Sequence, residues 1–534
     1  MDVVLVLHSH IPYVLHHGRW PHGSDWICEA AVDSYLPLLD TLLSLSHDHI
    51  AAPLTIGFTP VLASQLANPE FQQECRSYLD QRIASCAAAT SELTAPGDQV
   101  LLPIVAFWQR RYGSLRTLFE KIDGDLPAAF RALEDAGRIE ITSSAATHGF
   151  LPLLSRAESV TLQLLAGRDE HERIFGRSPR GCWVPECAYS PGLEGAVSSA
   201  GYQYFFTDAH MVQAGQPVDV YADAESGCGL DTQSRENAKG SRSPYQVYRA
   251  GNCAVLVRDP VASRQVWSRY EGYPGDHNYL EFHKIRWPGG LRLWQVSAPG
   301  TGLGEKRPYR PEAGARRAGH HARHFVSLLM DTARTSGADD KAIVAPFDTE
   351  LFGHWWFEGP YFLRAVFEAL SRSGKVRAST ASATVMRSPE TTEIQVSEGS
   401  WGARGDFSMW NNPKTAWTWK RLRILEQSFW NMAPEALAEA GHHHALKQAT
   451  RELLLAQSSD WQFIISTGAA AEYAEQRFIE HCAAADALIG GLLKPAVSES
   501  TNQLASDLAQ RDQIFPGILT SLAAVLERRG HSPS

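Results

Sequence analysis

Short strand-like runs, each handing over to helical sequence, recur along the first three quarters of this chain and restrict its fold more than any other feature. Residues 3–7, 54–58, 139–142, 182–184, 204–207, 291–296 and 343–347 are mostly apolar or β-branched. Strand-stopping residues follow each in turn: His8-Ser9-His10, Thr59-Pro60, Ser143-Ser144, Pro185-Glu186, Asp208, Ser297 and Asp348. Strands that alternate with helices need crossover connections, and these build a parallel sheet. Seven such units suit a βα-barrel better than an open sheet. No GxGxxG follows the first strand, which argues against a dinucleotide-binding fold. The expected fold is α/β: a barrel of about seven βα units with a helical insertion and an all-α C-terminal domain.

The same pass suggests an organisation. A catalytic barrel is expected over 1–387, with an inserted helical subdomain at about 69–137. Residues 222–243 are rich in Gly, Ser, Asp and Asn, with Leu230 as their one large aliphatic. They read as a mobile surface loop, a candidate lid. Residues 388–400 are polar and read as a linker. Beyond, over 401–534, apolar stripes recur at helical spacing: Leu422, Leu425 and Phe429; Leu446, Ala449 and Leu453; Phe478, Cys482, Ala485 and Ile489. The tail 528–534 reads as disordered.

A chain of 534 residues, 44% of them hydrophobic, can bury the cores of two or three domains. Its net charge of −10 gives no basic footprint for nucleic acid. The opening Met-Asp-Val-Val lacks a cationic n-region, and no apolar run reaches membrane-spanning length, so neither a secretory signal nor a membrane anchor is expected. The eight cysteines are scattered without CxxC pairs, which fits a reducing cytoplasm. A monomer or weak homo-oligomer is expected. Among the 15 tryptophans, core packing competes with stacking on sugar rings.

Two acids stand out. Glu186 ends the run Cys182-Trp183-Val184-Pro185, and Asp348 ends Ala345-Pro346-Phe347; aromatics crowd both. Groups at the C-terminal ends of barrel strands face the active site, and glycoside chemistry needs two carboxyl groups. An acid at such a junction also suits a helix N-terminus or a turn, so spacing alone does not decide. His8 and His10 form an HxH at the end of the first strand. That pattern also starts metal sites in barrel hydrolases, with His148, Asp208 and Asp348 as candidate further ligands. Histidines hydrogen-bonded without a metal are the simpler reading. The run His442-His443-His444 reads as a loop or helix edge.

The motifs also carry a family resemblance. Leu7-His8-Ser9-His10-Ile11-Pro12-Tyr13 with Arg19-Trp20-Pro21 and Trp26, then Gly57-Phe58-Thr59-Pro60, then Trp183-Val184-Pro185-Glu186-Cys187-Ala188-Tyr189, then Phe347-Asp348-Thr349-Glu350-Leu351-Phe352-Gly353-His354-Trp355-Trp356 resemble, in order, the blocks of glycoside hydrolase family 57. Thr147-His148-Gly149-Phe150, Arg258-Asp259 through Trp267, Gly272-Tyr273-Pro274-Gly275, Trp401, Trp410 and Asp460-Trp461 resemble its branching-enzyme members. The resemblance implies an incomplete, TIM-like (β/α)7 barrel and a retaining mechanism without metal or cofactor. It implies Glu186 as nucleophile and Asp348 as general acid/base. It implies His8, His10, Trp26, His148, Arg258, Trp267, Trp401, Trp410 and Asp460 as substrate-binding residues.

The implied reaction cleaves an α-1,4-glucan and transfers the segment to a 6-hydroxyl, with some hydrolysis beside it. A family 57 α-amylase or 4-α-glucanotransferase is the nearest alternative. A metal-dependent barrel deacetylase or amidohydrolase and a catalytically dead sugar-binding protein are more distant ones. One departure stands out: similar branching enzymes carry a Tyr in the loop beside the catalytic pair. Here 222–243 contains none, and only Tyr221 and Tyr245 flank it.

Overall fold

The computed structural model describes residues 1–213, 242–268, 271–298, 300–389 and 391–530. Most of the loop expected at 222–243, and Tyr221 beside it, lie outside these residues.

Ten strands form one sheet: β1 Asp2–Ser9, β2 Leu54–Phe58, β3 Ile139–Ser144, β4 Gly181–Trp183, β5 Tyr204–Thr207, β6 Tyr248–Ala250, β7 Cys253–Val257, β8 Ala342–Asp348, β9 Arg377–Ala378 and β10 Thr392–Glu393. Their order is β10-β6-β7-β5-β4-β3-β2-β1-β8, with β9 also on β1. Seven members, β7-β5-β4-β3-β2-β1-β8, run parallel to their neighbours. Their outer edges meet: Arg258, one residue past β7, forms a single parallel bridge to Val344 of β8. Asp259 N donates to Val344 O at 2.7 Å beside it. The sheet therefore curls into an incomplete seven-stranded barrel, closed at one seam. β1 is buried along its whole length, as a central parallel strand covered on both faces should be.

Six of the seven expected strands are present. The run 291–296 is not a barrel strand. Its burial does alternate residue by residue, but isolated antiparallel bridges hold it in a long connection: Arg286 to Leu291, Leu280 to Gln295 and Trp294 to Pro308. The missing strand is β7, whose Cys-Ala-Val-Leu-Val follows a turn at Gly251-Asn252 that pairs it antiparallel with β6.

Between β2 and β3 lie the helices Pro69–Glu92, Leu102–Lys121 and Leu126–Asp135. They reach the 286–292 connection, where Trp108 Nε1 donates to Arg292 O at 2.6 Å and Arg82 donates to Gly289 O at 2.9 Å. From Ala416 onward the chain is helical: Ala416–Ala438, His443–Ala456, Ser459–Thr467, Ala471–Leu492, Glu499–Arg511 and Ile518–Gly530. His443 and His444 start the second of these, within hydrogen-bond distance of Leu437 O and Ser506 Oγ. No helix among the described residues is long and apolar enough to cross a membrane.

Candidate active site

Parallel register brings the C-terminal ends of β1, β2, β3, β4 and β8 to one mouth, where βα-barrels keep their reactive groups. His8 of β1 lies opposite Asp348 of β8 on one side and Gly57 of β2 on the other. Glu186 sits in the short turn Pro185–Cys187 just after β4. Its backbone is left-handed (φ 61°), as are those of Cys187 (φ 48°) and His148 (φ 58°). Non-glycine residues rarely adopt this region, and the strain persists only where surroundings enforce it.

The surroundings of Glu186 come from the far end of the chain. Trp401 Nε1 donates to Glu186 Oε2 at 2.8 Å, and Trp401 N donates to Glu186 O at 2.9 Å. Ser459 Oγ, in the first turn of the helix Ser459–Thr467, donates to Glu186 Oε1 at 3.4 Å. Ser459 also ties down His148: its backbone N donates to His148 O at 3.1 Å, and its hydroxyl lies 3.0 Å from His148 Nδ1.

A row of imidazoles lines the same mouth. His148 Nε2 is 3.1 Å from His8 Nε2, and the His10 and His148 rings stack 4.1 Å apart. His10 Nδ1 meets Thr59 Oγ1 at 2.9 Å and His10 Nε2 meets Asp460 Oδ2 at 2.8 Å. His8 stacks on Trp183 at 4.7 Å, and Trp183 meets Trp401 edge-on at 4.9 Å. Burial, helped by the neighbouring imidazoles, pushes His8 and His148 well below the ordinary histidine range, so both are neutral at neutral pH. Burial opposes the charge on Asp460 too, yet His10 holds its carboxyl below the usual value. His10, His148 and Asp460 offer three ligand atoms within 4.8 Å of one another. All four ring nitrogens of His10 and His148 already have protein partners.

The chain matches the family model described as glycosyl hydrolase family 57 over residues 4–397. It belongs to glycosyl hydrolase family 57. Residues 423–522 match a second model, that of the C-terminal part of 1,4-alpha-glucan branching enzymes. The chain is 34% identical to a 1,4-alpha-glucan branching enzyme of Thermococcus kodakarensis, over 96% of this chain and 77% of that protein. The crystal structure of that branching enzyme, in complex with glucose, superposes with a TM-score of 0.89 over 98% of this chain and 96% of the other. A family 57-type branching enzyme from Pyrococcus horikoshii gives 0.86 at 34% identity, covering 98% of this chain and 96% of that one. An α-amylase from Thermotoga maritima gives 0.80 at 27% identity, covering 98% and 99%.

Within this family 57 chain, burial raises both carboxyls of the mouth. Glu186 is pushed up to about 8 by burial and by the charge of Asp348, against the opposing hydrogen bond from Trp401. Asp348 is pushed up to about 7 by burial, against the opposing charges of Arg258 and His10. Two interacting acids titrate as a pair, so the mouth retains a proton at neutral pH. Which carboxyl carries it depends on what is bound. A positive charge developing beside Glu186 favours the arrangement with Glu186 ionised and Asp348 protonated.

Other expected residues fall in two groups. Arg258 is close: its guanidinium lies 5.2 Å over the Trp401 ring and donates to Asp208 Oδ2 at 2.9 Å. Asp208 is thus the counterion of Arg258 and is hydrogen-bonded to His210 at 3.0 Å. Trp267 ends the helix Pro260–Trp267, half-buried, with exposed Trp355 edge-on at 6.5 Å. Trp26 packs edge-on to His22, which rests on Tyr473, at the seam between the barrel and the C-terminal helices. Trp410 departs from the expectation that it lines the cleft. It is 1% exposed, packs on Phe150 at 4.7 Å and touches Gly402, one layer beneath the loop that carries Trp401. Sequence reasoning passed over Thr59, Ser459 and Glu350, which hold the neighbours of the two acids. Their signal was adjacency to Pro60, Asp460 and Asp348 within motifs already noted.

Proposed function

We propose that this chain is a retaining 1,4-α-glucan branching enzyme, with Glu186 as nucleophile and Asp348 as general acid/base. The observation that carries this reading is the position of Ser459. It lies in the segment that matches the branching-enzyme C-terminal model, and its hydroxyl meets the Glu186 carboxylate. The relatives named as branching enzymes support the same reaction.

In this mechanism Glu186 attacks the anomeric carbon of an α-1,4-linked glucan while Asp348 protonates the leaving 4-oxygen. The indole N–H of Trp401 and the hydroxyl of Ser459 orient Glu186 for attack, and oxocarbenium character at the ring keeps it ionised. A covalent glucosyl-enzyme forms with inverted configuration. Asp348, now the base, takes the proton from an acceptor 6-hydroxyl, and the second inversion restores the α-configuration as an α-1,6 branch. The neutral imidazoles of His8 and His148, with His10 held by Asp460, present donors and acceptors to sugar hydroxyls. Trp26, Trp267 and Arg258 extend the binding surface, and Trp410 supports it from below. The barrel and the C-terminal helices form one catalytic unit in this reading. The polymer is of glycogen type, and the scattered cysteines support a cytoplasmic setting.

The test is incubation with linear amylose, followed by counting α-1,6 linkages against new reducing ends. Branching predicts falling iodine staining, isoamylase-sensitive products and few new ends. The likeness to the Thermotoga maritima α-amylase favours one alternative, hydrolysis. Reducing ends that accumulate without isoamylase-sensitive linkages would establish it and sink the branching reading.

A further inference from the structure

Two residues past Asp348, a third acid is buried in the turn Thr349–Leu351. Glu350 is 7% exposed. Its Oε1 accepts the backbone N–H of His10 at 3.2 Å and the hydroxyl of Tyr35, which belongs to the π-helical turn Ala31–Tyr35. The backbone oxygen of Glu350 accepts from Ser34 Oγ at 3.4 Å, and Ser9 Oγ lies 2.7 Å from Thr349 Oγ1. One side chain thus joins the ends of β1 and β8 and the turn that packs on them. It fixes the peptide of His10, whose ring in turn bridges Thr59 and Asp460.

We propose that Glu350 is a positioning residue, clamping the backbone of His10 and the hydroxyl of Tyr35 to the turn that carries Asp348. Both donors converge on Oε1, which accepts from each. Burial pushes the Glu350 carboxyl up to about 8, and the charge of Asp348 adds to this. An ionised Glu350 would set a second negative charge beside the general acid. The charged and titratable groups around it are Asp348 on β8, Tyr35, and His10 with its partner Asp460. Asp33 on the Tyr35 turn is tied to Arg292 and His354, and Arg258 faces Asp348 from the end of β7. At neutral pH the neutral form keeps the clamp without that charge. Asp348 gives up its proton near pH 7 while Glu350 is still neutral, so that titration proceeds without a second charge beside it.

This role rests on the assignment of Asp348 as general acid, so the test reads glucan cleavage, a step common to branching and hydrolysis. Three variants of the full chain, Glu350→Gln, Glu350→Ala and Tyr35→Phe, are compared with wild type from pH 5 to 10, with melting temperature measured alongside. The amide oxygen of Gln accepts the same two donors. Glu350→Gln should therefore keep kcat within about threefold at pH 6–7, while Glu350→Ala loses about tenfold or more, as expected for a lost buried hydrogen-bond partner. The alkaline limb of Glu350→Gln should stay where wild type has it, because a neutral Glu350 adds no charge while Asp348 gives up its proton near 7. An ionised Glu350 would instead hold the Asp348 proton in wild type, and Gln would then move that limb to lower pH. If Glu350→Ala fails to fold, Tyr35→Phe keeps the test open, since it removes one of the two donors and should lower kcat without changing KM. Glu350→Gln as inactive as Glu350→Ala would overturn the proposal and make the charge of Glu350 essential. An alkaline limb of Glu350→Gln displaced from that of wild type, or a fully active Glu350→Ala, would overturn it as well. Wild type that cleaves without branching would defeat the branching reading and leave this comparison intact.

Discussion

Glu186 carries the strain of the site in its own backbone. A left-handed, half-buried carboxylate is doubly unfavourable, and the donors from Trp401 and Ser459 offset only part of that. Activity and stability should therefore move in opposite directions. Glu186→Gln removes the nucleophile, and glucan cleavage and transfer should both fall on the order of 10³-fold or more. Stability should rise, and the sign follows from the raised value of about 8. The unfolded acid ionises in the ordinary range, whereas the folded one holds its proton until about pH 8. Its contribution is fully present below the ordinary value and is lost as pH rises through 8. The melting-temperature gain of Glu186→Gln should thus be larger at pH 8.5 than at pH 6. An equal gain at both pH values would show that the carboxyl is not suppressed by burial. Activity should also survive EDTA, because every ring nitrogen of His10 and His148 already has a protein partner. Loss on chelation with recovery on adding zinc would favour a metal instead.

At the scale of elements, the helix Ser459–Thr467 matters through its first turn. Ser459 serves Glu186 and His148, and Asp460 next to it serves His10. Asp460→Asn leaves the shape and weakens the charge-assisted bond to His10. The expected loss is about 10- to 100-fold in kcat, in line with about 1.5–3 kcal/mol for a hydrogen bond to a charged group. Wild-type turnover would mean that His10 needs no orienting partner. Much of this architecture is legible in the sequence. The strands that end in Asp348 and in the Glu186 turn announce themselves because parallel strands buried on both faces are continuous apolar runs bounded by polar stops. What misleads is period two outside the barrel sheet: 291–296 alternates in burial while isolated antiparallel bridges hold it in a long connection. The β7 run was equally apolar but hides behind the tight turn at Gly251. Trp410 shows the same limit for the site. Its neighbours Phe150 and Gly402 lie hundreds and a few residues away respectively, and no local pattern tells a ring beneath a loop from one beside a sugar.

Across the whole molecule, the barrel and the C-terminal helices share a buried polar core. His17, in the connection after β1, bonds Asp512 at 2.7 Å, and His481 bonds Glu452 at 2.7 Å; side chains of Asp512, His481 and Glu452 are fully inaccessible. Arg477 donates to Tyr13 O at 2.9 Å, and the Tyr13 hydroxyl donates to Arg511 O at 3.0 Å. The bonds of Tyr13 and His17 run between the segment just after His10 and the C-terminal helices, so site geometry and interdomain packing are one problem. Burial opposes the charge on Asp512, but His17 and His481 hold its carboxyl far below the ordinary range. Its contribution is therefore present above the ordinary carboxylate value and is lost as pH falls below it. Asp512→Ala leaves His17 and Arg511 without their buried partner. Breaking a buried pair from one side costs about 3–5 kcal/mol. Because the pair spans both parts, the loss should appear as one cooperative denaturation transition displaced to lower denaturant. The difference from wild type should shrink as pH is lowered towards 3. Two separated transitions, with the barrel unaffected, would show instead that the helices are an accessory that the catalytic mouth can do without.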